Sequence, residues 1–367
     1  MVKAIGFSSI KFFLLAAICI GWPGTTPAGE YILGADVSSH AEQVDQGIVY
    51  VDTDGERKDL LALLKNHGFN YIRLRTFVEP LNDYGYASDD SCPGKAEAYN
   101  DRDHVVELAK KVKAAGMGLL LDFHYSDTWA DPNKQVIPQA WRGAATLDEL
   151  AALVGDYTTD VLQALVAAGA APDMVQVGNE ITPGMLIHVP TAETDCYGNG
   201  SVPHTGPNGS AADWNNLATL LSAGIEATRA VLPDARIMLH TENTADYDAV
   251  VAWFGKALEL GLEFDIIGLS AYSHWHGPAD QWRPNITNLA AAFPGLEFSI
   301  VEYSDQKQLP NDIMRELPGG RGIGTFIWEP TLSGPWGEPL FDREAKVLTA
   351  KPEAFSVYDG ITRPEEK

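Results

Sequence analysis

The sequence predicts an α/β chain folded as a single (β/α)8 TIM barrel with extended loops at its C-terminal face. Apolar strand-like runs alternate with amphipathic helix-like stretches, the pattern of a parallel sheet. Eight such units fit in one chain of 367 residues with no candidate linker between them. Polar and aromatic residues collect where the runs end, at the face where such barrels carry their chemistry. No G-x-G-x-x-G motif follows the first run, which argues against an open nucleotide-binding sheet.

The N-terminus reads as a leader. Lys3 precedes an apolar stretch from Phe12 to Ile20, and Thr26-Pro27-Ala28 supplies small residues for cleavage. The stretch is short for a membrane span. Residues 1–28 are therefore expected to be a signal peptide and residues 29–367 the barrel domain, giving a secreted or periplasmic protein. Ile18, just before Cys19, is bulky for a lipid-attachment site.

The first strand is expected over Tyr31–Val37. A helix follows near Asp59–His67, stopped by Gly68. The second strand, Asn70–Phe77, leads into a long polar loop from Glu79 to Tyr99. Arg102–Ala115 carries Val105, Leu108, Ala109 and Val112 at helical spacing, and Gly116 ends it. The third strand is Gly118–His124. A helix near Thr146–Ala168 precedes the fourth, Met174–Val177. A second long loop, Pro183–Ala212, is rich in Gly, Thr and Asn. The next helix is expected over Asp213–Val231 and the fifth strand over Arg236–His240. A helix at Ala245–Leu260 precedes the sixth strand, Phe264–Ser270. A helix at Ile286–Phe293 precedes the seventh, Phe298–Val301. A short helix, Asn311–Leu317, leads to the eighth strand, Gly324–Trp328.

Composition excludes some partners. The formal net charge is −24 and no basic cluster stands out, so nucleic acid, anionic membrane and polyanionic substrates are disfavoured. A neutral substrate fits, and a monomer is expected. Beyond the leader the only cysteines are Cys92 and Cys196. In an exported chain two cysteines suggest one disulfide, with two free thiols as the alternative. His240 with Glu242 resembles part of a metal site, but no third ligand has suitable spacing. Neither a metal nor another cofactor is expected.

The strand ends supply a paired-carboxylate set. The fourth strand ends Asn179-Glu180 and the seventh ends at Glu302. Glycoside hydrolysis needs one carboxyl that keeps its proton for the leaving oxygen and a second that stays ionised. In retaining enzymes the two lie about 5–5.5 Å apart. Strands four and seven face each other across a narrow barrel, which suits that requirement. Asn179 is placed to bond a sugar 2-hydroxyl. Arg73 and Tyr272 are placed to hold the nucleophile charged. Trp129 and Trp328 offer flat faces for sugar rings. Asp122, His124, Asp127, His240 and Trp275 complete the expected substrate-binding set.

The segment Leu121-Asp122-Phe123-His124-Tyr125-Ser126-Asp127-Thr128-Trp129-Ala130-Asp131-Pro132 closely resembles a signature of glycoside hydrolase family 53, the endo-β-1,4-galactanases. Val175–Ile181, Gly34–Ser39, Tyr71–Arg75, Ile237–His240 and Phe326–Pro330 resemble further family segments, so the likeness spans nearly the whole mature chain. It implies retention of configuration, Glu180 as acid/base and Glu302 as nucleophile. It also implies a groove for the neutral galactan side chains of type I arabinogalactan. The loops with Cys92 and Cys196 are longer than in simple members. The stretch between Glu302 and Trp328 is shorter than usual, which disfavours the structural calcium that some bacterial members bind there. The alternatives are another barrel glycosidase, such as a mannanase, and an inactive glycan-binding protein.

Overall fold

The structure is a computed structural model describing residues 1, 30–88, 95 and 97–362. The expected leader, apart from Met1, and Cys92 lie outside these residues. Strands β1 (Ile32–Asp36), β2 (Tyr71–Thr76), β3 (Gly118–Phe123), β4 (Met174–Val177), β5 (Arg236–Thr241), β6 (Ile266–Ala271), β7 (Glu297–Tyr303) and β8 (Gly322–Trp328) form a closed parallel barrel. Each strand pairs with its sequence neighbours, and β8 closes on β1 with Asp36 opposite Trp328.

Helices return the chain between strands: α1 (Leu60–Asn66), α2 (Arg102–Ala114), α3 (Leu147–Ala167), α4 (Trp214–Val231), α5 (Tyr247–Glu259), α6 (Trp282–Ala292), α7 (Leu309–Glu316) and α8 (Pro352–Thr362). Their starts are chemically marked. Asp59, Asp101 and Thr146 accept from the backbone N–H groups of Leu61, His104 and Glu149. Each such cap contributes about 1 kcal/mol. Helix α6 begins earlier than the apolar pattern suggests. Pro284 falls in its first turn, where a missing N–H is tolerated, and Trp282 is fully buried.

Two apolar layers support the barrel. Between the strands and helices, Leu63, Leu121, Leu162, Val175, Leu221 and Phe254 belong to one large core. Inside the barrel, Ile32, Leu120, Met174, Met238, Ile266, Val301 and Phe326 form a separate plug. Gly118 makes room for it: a Cβ there would sit 2.2 Å from the Tyr71 ring. Polar residues take over above the plug.

One irregularity shapes the upper end. Between β6 and β7, Leu269 faces Ile300 but the next residue, Ser270, faces Glu302. A β-bulge of this kind re-aims side chains. Val301 stays with the interior plug while Glu302 reaches the polar layer.

The extended loops also acquire structure. In the Pro183–Ala212 loop, Gly184–Met185 pairs with Gly209–Ser210, and His188–Val189 with Val202–Pro203. Val49–Val51, Arg57–Lys58, Phe341–Glu344 and Val347–Ala350 form an additional four-stranded sheet.

Candidate active site

Arg73 on β2 is the centre of the polar layer. It is fully buried, and its Nη1 donates to Glu302 Oε1 at 2.8 Å and to Asp36 Oδ2 at 3.2 Å. Nη2 donates to Asp122 Oδ2 and Asn179 Oδ1, both at 2.8 Å, and Nε donates to Gln176 Oε1 at 3.2 Å. Side chains from β1, β3, β4 and β7 thus converge on one guanidinium. Tyr272 adds a hydroxyl that donates to Glu302 Oε2 at 3.2 Å. Burial raises the Glu302 carboxyl, Arg73 offsets part of that, and the net position is still raised, to about 7.

Glu180 has the opposite setting. Burial, then the nearby Glu302 charge, raise its carboxyl well above the usual range. Among the described residues no Lys or Arg pairs with it: Ser270 Oγ lies 2.6 Å from Oε1, and His276 Nε2 lies 4.0 Å away. The backbone is locally unusual. Gly178 has φ 83° and Glu180 itself φ 47°, both in the left-handed region. Glycine adopts that region freely, whereas a residue with a Cβ pays about 1–3 kcal/mol. Glu180 is therefore turned sharply off its strand. Both carboxyls are thus raised, Glu302 to about 7 with Arg73 beside it and Glu180 well above its usual range with carboxylates beside it.

A cleft of about 500 Å³ opens over the site, lined by Arg75, His124, Trp129, Asn179, Glu180, Tyr197, Trp328, Glu329 and Trp336 among others. A second lobe of about 510 Å³ continues past Glu180 along Asp131, Glu242, Asn243, Tyr272, Trp275 and His276. The aromatic walls suit the C–H faces of sugars. Trp275 is 47% exposed and borders both lobes.

The Glycosyl hydrolase family 53 profile matches residues 32–312 of this sequence. The chain belongs to glycosyl hydrolase family 53. It is 36% identical over 333 residues to a Niallia circulans protein named only as an uncharacterized protein in the bgaB 5' region, covering 82% of this chain and 83% of that one. It is 30% identical to the arabinogalactan endo-β-1,4-galactanase of Humicola insolens, covering 81% and 88% of the two chains. Among solved structures, the Ignisphaera aggregans GH53 catalytic domain superposes with TM-score 0.73 at 29% identity, over 92% of this chain and 97% of that one.

In this family 53 glycosidase, the residues singled out from sequence separate into two layers. His124, Trp129, Asn179, Glu180, Tyr272, Trp275 and Trp328 line the cleft. Asp122, Asp127 and His240, expected to bind substrate, are not among the cleft-lining residues, and neither is Arg73, whose guanidinium reaches Glu302. Asp122 accepts from Arg73 and from Gln176 Nε2, and faces His124 Nε2 at 3.0 Å. His240 lies between Asn179 and Ser270. Asp127 accepts from the amides of Glu79 and Gln139 and from Asn82, so it pins loops together. Burial raises it to about 6.

Trp129 has an aromatic neighbour of its own. Tyr197 stacks on its face, with centroids 5.1 Å apart and planes 17° apart. Cys196 is buried and its carbonyl accepts from the Thr128 hydroxyl. Its pairing with Cys92 falls outside the described residues. Among the described residues, no group of three or more His, Cys, Asp or Glu side chains could hold a metal ion.

Several site residues escaped the sequence reading. Ser270 and Gln176 carry no signal, being small or neutral residues inside apolar strands. Glu329 follows Trp328 at a strand end, and that position was its signal. It accepts from Arg75 at 2.6 Å and from Ser39 Oγ at 2.5 Å, and it also has left-handed backbone, φ 37°.

Proposed function

We propose that this chain is a secreted endo-β-1,4-galactanase that cleaves the neutral galactan of type I arabinogalactan with retention of configuration. The observation that carries the reading is the different setting of two neighbouring buried carboxyls, Glu180 lining the cleft and Glu302 held against Arg73. Glu180 has Ser270 and other carboxylates around it, while Glu302 has Arg73 and Tyr272. The substrate class comes from the named galactanase relatives and from the absence of a basic cluster along the acidic chain.

In the first step Glu180 protonates the glycosidic oxygen as Glu302 attacks the anomeric carbon, giving a glycosyl-enzyme. In the second, water attacks that carbon, its proton passes to Glu180, and Glu302 is released. Asn179 stands beside Arg73, where its amide is held for the sugar 2-hydroxyl. Action as a monomer, export directed by residues 1–28, independence from metals and a Cys92–Cys196 disulfide belong to the same proposal.

Replacing Glu180 or Glu302 by Gln is expected to lower turnover of linear β-1,4-galactan by about 10²–10⁴-fold with unchanged circular dichroism. Near wild-type turnover by either variant would overturn the assignment. Proton NMR of the first-formed products checks retention, and an early ladder of oligomers checks endo action. Release from mannan but not galactan would redirect the substrate.

A further inference from the structure

The hydrogens beneath Glu180 can be counted. Asn179 Nδ2 donates to the Ala130 carbonyl at 2.9 Å, and Asn179 Oδ1 accepts from Arg73. That fixes the amide: its oxygen is the atom 2.9 Å from His240 Nδ1. A carboxamide oxygen only accepts, so His240 Nδ1 carries a hydrogen. Gln176 Nε2 also comes within 3.1 Å of Nδ1, but its two hydrogens have three oxygen acceptors to serve, Asp122 Oδ1 at 2.7 Å, Asn179 Oδ1 at 3.0 Å and the Gly178 carbonyl at 3.1 Å. A bare Nδ1 would instead press its lone pair against the Asn179 oxygen at the shorter distance.

His240 is completely buried, and burial together with Arg73 keeps the ring neutral. Nε2 is then a bare acceptor. Ser270 Oγ lies 2.8 Å from it and gives it the one hydrogen a serine has. Toward Glu180 Oε1, 2.6 Å away, Ser270 can then offer only a lone pair. Two oxygens at that separation share a hydrogen, and here it has to be the carboxyl's.

We propose that resting Glu180 donates its proton to Ser270 Oγ, that Ser270 donates to His240 Nε2, and that these two are positioning residues for the acid. This rests on reading Glu180 as the acid/base. The other groups facing Glu180 fit the assignment. Glu302 from β7, Glu242 after β5 and Asp131 after β3 are acidic and favour a protonated partner. Tyr272, after β6, directs its hydroxyl to Glu302. His276 Nδ1 faces the Ser270 carbonyl at 3.1 Å and must donate to it, so its Nε2 presents a lone pair to Glu180.

The arrangement explains how the acid recovers. When Glu180 gives its proton to the glycosidic oxygen, Ser270 stays committed to His240 Nε2, so the new carboxylate faces an oxygen lone pair and readily takes a proton back. When water attacks the glycosyl-enzyme, its proton goes to Glu180, replacing the one given to the leaving group.

The test is the basic limb of the kcat/KM–pH profile on linear β-1,4-galactan. Ser270 as an acceptor stabilises protonated Glu180, so Ser270→Ala is expected to move that limb to lower pH by about one unit. If Ser270 instead donated to an ionised Glu180, the same change would move the limb to higher pH. That result, or no movement, overturns the proposal. A second measurement needs no turnover. The infrared band of the protonated Glu180 carboxyl, assigned by its loss in Glu180→Gln, should rise in frequency in Ser270→Ala. An absent or unmoved band also overturns it. Full activity in Glu180→Gln would instead sink the acid/base reading itself.

Discussion

Glu180 is held off-strand, buried and among carboxylates, and each of these costs stability. Because its folded pKa is raised, it favours folding fully only while both states are protonated. That contribution is lost as pH rises from the ordinary glutamate range through the raised folded value. Glu180→Gln has no charge to bury. Its melting temperature is therefore expected to match wild type near pH 4 and to exceed it increasingly toward alkaline pH, as scanning calorimetry would show. An equal advantage at both ends would contradict the burial argument. Glu180 and Glu302 were legible in the sequence because a lone carboxylate after a buried apolar run is conspicuous. Ser270 was not, since a serine inside a strand signals nothing until a bulge turns it toward Glu302's side of the barrel.

At the level of elements, the eight strands were readable because each is a short apolar run with Gly, Pro or polar residues at its ends. The region after Trp328 was not. Pro330, Gly334, Pro335, Gly337 and Pro339 interrupt any period there, which hides the hairpin of Phe341–Glu344 with Val347–Ala350. Helix α8 lies beyond it, and Phe355 and Tyr358 on this helix are completely buried. Tyr358 packs tilted against Phe69, and Phe355 packs against His67 and edge-on to Phe341. Phe355→Ala is expected to cost about 3–5 kcal/mol in urea denaturation. A loss below about 1 kcal/mol would show that α8 is dispensable. His67 extends the same joint, with its two ring nitrogens 2.8 Å from Asp52 and 3.0 Å from Asp359.

For the whole molecule, the charge of −24 sets what can approach. A neutral glycan feels little of that field, so kcat/KM on linear galactan should change less than about twofold between low and high salt. Polygalacturonate should stay a poor ligand at low salt. Strong salt activation on galactan would mean that charge, not groove shape, limits access. Charge and composition were fully legible in the sequence. The groove's reach was not, because the Tyr197 ring that covers Trp129 comes from a loop with no periodic pattern.

Arg73 also bears on how the chain acquires its shape. Its partners come from the first, third, fourth and seventh strands, so no contiguous half of the sequence contains them all. A fragment ending in the Pro183–Ala212 loop would hold Asp36, Asp122 and Asn179 around the guanidinium but leave an open seam where Glu302 belongs. Assembly of the catalytic centre is thus a late event that waits for closure of the ring. After dilution from denaturant, galactan cleavage should return only with the slowest refolding phase, behind the recovery of helical circular dichroism.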